Sequence, residues 1–301
     1  MLSSVIVWLP LASAVLGAPS LPVRRETTPV SADDLAGFAP YTQFARAAYC
    51  GVDILQDWSC GEACTAVSDF TPTLVGGNGD DIQQYIVGYW ESENAAVVVH
   101  EGTDPTKFES VLTDIDALSD TLDPELFPGV ADDVYVHGGF RDQHAGTAKE
   151  ILDEVNKVLG DHDTKNIILV GHSLGGALAQ LDSLFFALQI PDAVIKTRTF
   201  GMPRVGNSAF AELIDSHATD FVRVVNRHDV VPILPGRGLG FAHPEGEVHI
   251  IDDGDAVACP GNDDADDSDC TISSTPNVFE GSITDHLGPY EGISIGTIYC
   301  T

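Results

Sequence analysis

The chain has 301 residues, 44% of them hydrophobic and 20% charged, a globular composition of a length that suits one large α/β domain or two small ones. Its 46 acidic against 14 basic side chains give a formal net charge of −32, which repels nucleic acid and anionic membrane surfaces. Neutral substrates or an acidic medium fit better, and the spread of the acidic residues along the chain reads as a solvated surface.

Residues 1–17 read as a secretory signal: an apolar run over residues 5–16 is followed by small residues at Val15-Leu-Gly17. The run is too short to span a bilayer, and no other segment is long enough, so a secreted, extracellular, soluble product without a transmembrane segment is expected. Arg24-Arg25 is a dibasic processing site, which makes residues 18–25 a propeptide and residues 26–301 the mature domain. Six cysteines, Cys50, Cys60, Cys64, Cys259, Cys270 and Cys300, all follow the signal; an even number in a secreted chain implies disulfides, with fifteen pairings open. The sequence holds no N-x-S/T sequon.

Ser31-Ala-Asp-Asp34 ahead of Leu35, Phe38, Tyr41 and Phe44 predicts a capped amphipathic helix running to Cys50, broken at Pro40. Residues 85–90 and 95–100 predict adjacent strands, and residues 134–137 a further short one. Apolar residues at helical spacing predict a helix over 147–159. From residue 166 onward strands and helices alternate: a strand at 167–170, a helix ending before Pro191, a strand at 194–200, a helix at 208–214 and a strand at 221–226. That alternation argues for a single α/β domain with a mostly parallel central sheet and helices on both faces. The Asp-, Gly- and Ser-rich tail from Gly254 predicts irregular structure stapled by cysteines.

The most informative stretch is Asn166-Ile-Ile-Leu-Val-Gly-His-Ser-Leu-Gly175 and the helix formers after it. A buried strand, then G-x-S-x-G, then a helix is the nucleophile elbow, which places Ser173 on a sharp turn between two glycines. A serine hydroxyl needs an imidazole to take its proton, and the imidazole needs a carboxylate to orient it. In α/β-hydrolases the acid and then the histidine follow the serine. His217, His228, His243, His249 and His286 all follow Ser173. Asp229, just past the strand at 221–226, fits the acid, and His286, in a late polar loop, fits the base; Asp252 and Asp285 stay open as acids.

Residues 31–50 and 97–104, Val136-His-Gly-Gly-Phe140, Gly171-His-Ser-Leu-Gly-Gly176, Thr199-Phe-Gly-Met-Pro-Arg-Val-Gly-Asn207, Asn226-Arg-His-Asp-Val-Val-Pro232 and Asp285-His286 occur in this order. Together they resemble the secreted fungal class 3 triacylglycerol lipase family, whose relatives include fungal feruloyl esterases. The resemblance covers nearly all of the mature chain and implies an α/β-hydrolase fold. It also implies a Ser173–Asp229–His286 triad and disulfides Cys50–Cys300, Cys60–Cys64 and Cys259–Cys270. The oxyanion donors it implies are the backbone N–H groups of Leu174 and Thr103. Glu101 stands where better-known members carry Arg, which bears on how the lid hinge is braced. Asp104 and Pro105 open a predicted amphipathic helix with Phe108, Val111 and Leu112 on one face; the resemblance makes it a lid, and a fixed core helix would show the same pattern.

His172 reads as structural, and His100 and His137 as strand ends near the rim. Asp263, Asp264, Asp266, Asp267 and Asp269 lack the spacing of a calcium loop and read as solvated, so no metal and no cofactor is expected. The expected protein is a monomeric secreted serine hydrolase of carboxylic esters, a triacylglycerol lipase acting on lipid at an oil–water interface. Two alternatives stand beside it. One is a feruloyl or other soluble-ester esterase; the other is an acidic secreted protein that keeps the fold to bind lipid or calcium, against which the intact elbow, Asp229 and His286 argue.

Overall fold

The computed structural model describes residues 26–79, 81–104, 119–263 and 267–300. Its organising element is a nine-stranded sheet whose strands in chain order are β1 (Thr28–Pro29), β2 (Phe70–Gly76), β3 (Tyr85–Trp90), β4 (Ala95–His100), β5 (Asn166–His172), β6 (Val194–Phe200), β7 (Asp220–Asn226), β8 (Glu247–Asp252) and β9 (Asp255–Cys259). They lie in the order β1-β9-β8-β7-β6-β5-β4-β3-β2. The five from β4 to β8 are parallel, and antiparallel strands close both edges.

The centre reads as near-continuous apolar sequence because both faces are covered. Along β4 and β5, Ala96, Val98, Ile167 and Leu169 join a core cluster on one face, while Val97, Val99, Ile168 and Val170 join another on the opposite face. Helices α3 (Gly138–His162), α4 (Leu174–Gln189) and α5 (Ser208–His217) supply the first cluster. The N-terminal helices α1 (Ala32–Ala36) and α2 (Ala39–Ala47) supply the second. Ser31 caps α1 as its sequence implies, accepting the Asp34 N–H at 3.1 Å. The break falls at Gly37-Phe38, just ahead of Pro40, which lies in the first turn of α2.

Two sequence expectations change, and one strand was not anticipated. The helix at 147–159 runs over Gly138–His162, because His137, the last residue of the 135–137 strand, caps it directly and no proline intervenes. The tail begins with a strand, β9, paired antiparallel with β8, rather than with irregular chain. Strand β2, unanticipated because of its proline, is an edge strand whose register shifts between Pro72 and Leu74, a position that tolerates the proline. Ser119–Thr121, Tyr135–His137, Gly206–Asn207 and Phe241–Ala242 form a small second sheet. Among the described residues no helix is long and apolar enough to cross a membrane.

The disulfides are Cys50–Cys300, Cys60–Cys64 and Cys259–Cys270. Two buried ion pairs hold the acid-side strands and loops. Arg223 of β7 meets Glu247 of β8 at 2.8 Å, and Arg204 meets Asp263 at 3.0 Å. Arg204 also donates to the carbonyls of Ile233 and Pro235. Asp263 is thus a partner for arginine inside the fold rather than a solvated acid.

The Cys50–Cys300 bridge joins positions 250 residues apart. Replacing both cysteines with serine should cost about 2–5 kcal/mol in guanidinium unfolding; an unchanged midpoint would show that the termini are held without it. Acid should unfold the protein over a defined window. Burial opposes ionisation of Asp182, Glu247 and Asp263. The histidines beside Asp182 nevertheless hold it at about 2, Arg223 and Thr271 hold Glu247 low, and His243 and Arg204 hold Asp263 low. Depressed carboxylates stabilise fully above their unfolded pKa, roughly 4, and lose that stabilisation as pH falls through the folded value. The melting temperature should therefore fall steeply below pH ~4. A midpoint that keeps rising toward pH 2 would contradict this.

Candidate active site

Ser173 sits between β5 and α4 with φ 58° and ψ −129°, a conformation that non-glycine residues rarely adopt. The turn closes so tightly because its neighbours lack side chains. A Cβ on Gly171 would lie 2.0 Å from the Gly175 carbonyl oxygen, and one on Gly175 would lie 2.2 Å from that of His100. Gly102 obeys the same constraint, since its Cβ would fall 2.8 Å from Ser173 Cβ. Thr103, the next residue, is buried. Leu174 is the first residue of α4, so its N–H is one of the first-turn donors that have no acceptor within the helix.

Asp229 arrives on the loop after β7 and His286 on helix α6 (Ile283–His286), whose start Ser282 caps. A parallel bridge pairs Asp229 with Ser282. His286 Nδ1 lies 3.0 and 2.9 Å from the two oxygens of Asp229, and both side chains are fully buried. An ionised carboxylate only accepts, so Nδ1 carries the proton and Nε2 is the basic nitrogen. Asp229 Oδ1 also accepts the Val231 N–H at 2.9 Å, which fixes the carboxylate.

Ser173 and the Asp229–His286 pair meet through Phe200-Gly201. The Ser173 N–H donates to the Phe200 carbonyl at 2.9 Å. Gly201, at φ +54°, lies so close that a Cβ would be 2.6 Å from Asp229 Oδ2 and 2.7 Å from His286 Nδ1.

Beneath the histidine lies a buried support. The His286 carbonyl accepts from His172 Nε2 at 2.8 Å and from the Tyr290 hydroxyl at 3.0 Å. Burial, then the neighbouring His286, holds His172 well below its ordinary pKa, so it is neutral. With Nε2 donating, Nδ1 accepts the Tyr49 hydroxyl at 2.6 Å. Burial, then Glu101, keeps that phenol protonated. Tyr49 and Gly201 fall inside stretches that carry the family resemblance, but nothing local marks their roles or that of Tyr290, because each acts through a long-range contact or a backbone angle.

The other candidates point elsewhere. Asp285 accepts the His228 N–H at 3.3 Å, and Asp252 pairs with Arg227 at 2.9 Å. His228, His243 and His249 are turned toward backbone carbonyls, and His217 ends α5. Glu101 is buried, with its carboxylate near Gly79. Phe108, Val111 and Leu112 lie outside the described residues, as do Asp264 and Asp266. The potential metal-ligand group found among the described residues, Glu247 with Cys259 and Cys270, has both cysteines joined in a disulfide.

Comparison with known proteins gives a consistent picture. A family described as Lipase (class 3) matches residues 97–239. A secreted mono- and diacylglycerol lipase of Malassezia globosa is 30% identical over 203 residues, 65% of this chain and 66% of that protein. The chain thus spans about two thirds of that relative. The lipase of Rhizomucor miehei is 29% identical over 261 residues, 85% of this chain and 68% of that protein. Lipase II from Rhizopus niveus superposes with a TM-score of 0.79 at 26% identity, over 92% of this chain and all of that one. A triacylglycerol lipase whose catalytic centre is described as a serine protease triad superposes at 0.78, with the same identity and coverage.

Gly201→Ala should push the Asp229–His286 pair out of place. Labelling of Ser173 by a fluorophosphonate, followed by mass spectrometry, should slow by about 100-fold or more, the scale that roughly ångström-sized misplacements cost. Labelling at the wild-type rate in a folded Gly201→Ala protein would show that the close approach does not constrain the pair.

Proposed function

Because this chain belongs to the class 3 lipase family of carboxylic ester hydrolases, we propose that it is a secreted, monomeric acylglycerol lipase whose chemistry runs through Ser173, His286 and Asp229. Residues 1–17 serve secretion, and residues 18–25 are a propeptide removed after Arg25. In the first half-reaction His286 Nε2 takes the Ser173 proton as the oxygen attacks the acyl carbonyl. Asp229 holds the ring in the required tautomer and stabilises the imidazolium. The backbone N–H groups of Leu174 and Thr103 receive the developing oxyanion, and His286 then protonates the departing alcohol. Water repeats the sequence and releases the fatty acid. Every step uses groups of the chain itself.

The observation that carries this reading is His286 Nδ1 seated on both oxygens of Asp229, with the backbone of Phe200-Gly201 joining that pair to a strained Ser173. Acylglycerols are favoured as substrates because the relatives are named mono- and diacylglycerol lipases or lipases. A net charge of −32 favours neutral lipid over anionic phospholipid. The sequence expectation of a lid at Phe108, Val111 and Leu112 belongs to the same proposal.

Ser173→Ala should abolish hydrolysis of a dissolved short-chain ester while leaving the melting curve intact. Asp229→Asn should cost roughly 10⁴-fold in kcat through the wrong tautomer, and Asp285→Asn less than about tenfold. A large loss in Asp285→Asn with a near-native Asp229→Asn would move the acid to Asp285. Monoolein, diolein and triolein emulsions then distinguish the substrate class. Turnover of all three, rising above the solubility limit of short-chain esters, supports a lipase. Turnover confined to dissolved esters supports a soluble esterase.

A further inference from the structure

Behind the oxyanion strand lies a charged cluster that the triad does not use. Asp182, on the inner face of α4, is fully buried in a largely apolar core. Its Oδ2 meets His100 Nε2 at 2.7 Å and its Oδ1 meets His144 Nε2 at 2.9 Å. Both imidazoles are buried, and that of His144 lies between Phe127 and Phe185. The carboxylate is acceptor-only, so both histidines donate through Nε2.

Each member sits on a different element. His100 ends β4, two residues before Gly102 and three before Thr103. Asp182 lies two turns into the helix that Leu174 opens. His144 is on α3, the neighbour of α4. The His100–Asp182 bond therefore spans the two elements that carry the oxyanion donors. Their backbones also touch at the start of the helix, where Gly175 packs on the His100 carbonyl about two turns before Asp182, so strand and helix are tied at two separate points.

Burying a carboxylate is costly, and apolar side chains of similar volume usually fill such a space at no loss of stability. What apolar packing lacks is direction, since it fixes no particular distance. Two hydrogen bonds to one carboxylate do fix it. Oxyanion donors need distances of about 2.7–3.1 Å to the transition-state oxygen, so a small slip of β4 against α4 degrades the hole.

We propose that His100, Asp182 and His144 are positioning residues that set the Thr103 donor against the Leu174 donor, an inference that rests on the ester-hydrolase reading above. They touch no substrate and act through the strand and helix they join.

The test compares full-length wild type with Asp182→Asn, His100→Leu and His100→Gln. Kinetics on a dissolved short-chain ester are measured well below each melting temperature, with inhibition by butylboronic acid, whose tetrahedral serine adduct places an oxygen in the hole. Asp182→Asn puts a donor where a histidine also donates, and His100→Leu removes the donor. Each should lower kcat about 10- to 100-fold with KM within about threefold, and weaken boronate inhibition in parallel, because the hole acts on the transition state. His100→Gln, whose amide can still donate to Asp182, should recover at least a third of wild-type kcat. Should Asp182→Asn fail to fold, the Leu/Gln pair at His100 decides alone. Lowered melting temperatures with wild-type kcat and boronate affinity would overturn the inference and leave a structural cluster. A wild type that neither hydrolyses ester nor binds boronate would overturn the hydrolase reading and this one with it.

Discussion

The structure depends on how closely three backbones approach one another around Ser173. The end of β4, the turn after β5 and the first turn of α4 are separated by less than one methyl group at Gly102, Gly171 and Gly175. That proximity holds Ser173 at a positive φ, a conformation costing of order 1–3 kcal/mol that persists only where the surroundings over-determine it. The surroundings do so. Strands β4 and β5 run in parallel register with His100 opposite Gly171, and apolar side chains leave from both faces into two separate cores.

On this frame Asp229 and His286 need only be delivered to one end of the sheet. Strand β7 ends beside β6, and its loop carries Asp229 to the rim that Ser173 occupies. Arg204 anchors the following residues through the Ile233 and Pro235 carbonyls. The His286 backbone is held from below by His172 and Tyr290, and by Asn226 through the Asp285 carbonyl. The bonds from Asp229 to His286, from Tyr49 to His172 and from Asn226 to the Asp285 carbonyl satisfy these groups at depth, and satisfied buried networks rigidify a site.

Much of this was legible in the sequence, and the reasons differ by residue. The strand, elbow and helix around Ser173 announce themselves through local rules: a buried apolar run, two glycines and a run of helix formers. The strand bounds at 85–90, 95–100 and 194–200 were readable because β-branched and aromatic runs are bracketed by turn residues. Asp229 and His286 were legible only as a choice among several acids and histidines, since their pairing is tertiary. Strand β2 carries a proline and a register shift, and β9 is short and acidic at its start, so neither announces itself as a strand. Gly201, Tyr49 and the His100–Asp182–His144 cluster were hidden for a further reason. Their significance lies in contacts between residues as much as 123 positions apart, as for Tyr49 and His172.

The central claim is that Ser173 carries the acyl group between the two half-reactions. The most direct measurement is mass spectrometry of the protein quenched during turnover of an ester with a good leaving group. A tryptic digest isolates Ser173 in the fragment of residues 166–196, between Lys165 and Lys196. The account predicts a mass increase equal to the acyl group on that fragment, localised to Ser173 and lost on a chase without substrate. Steady turnover with no adduct, or with the acyl group on a different residue, would contradict it.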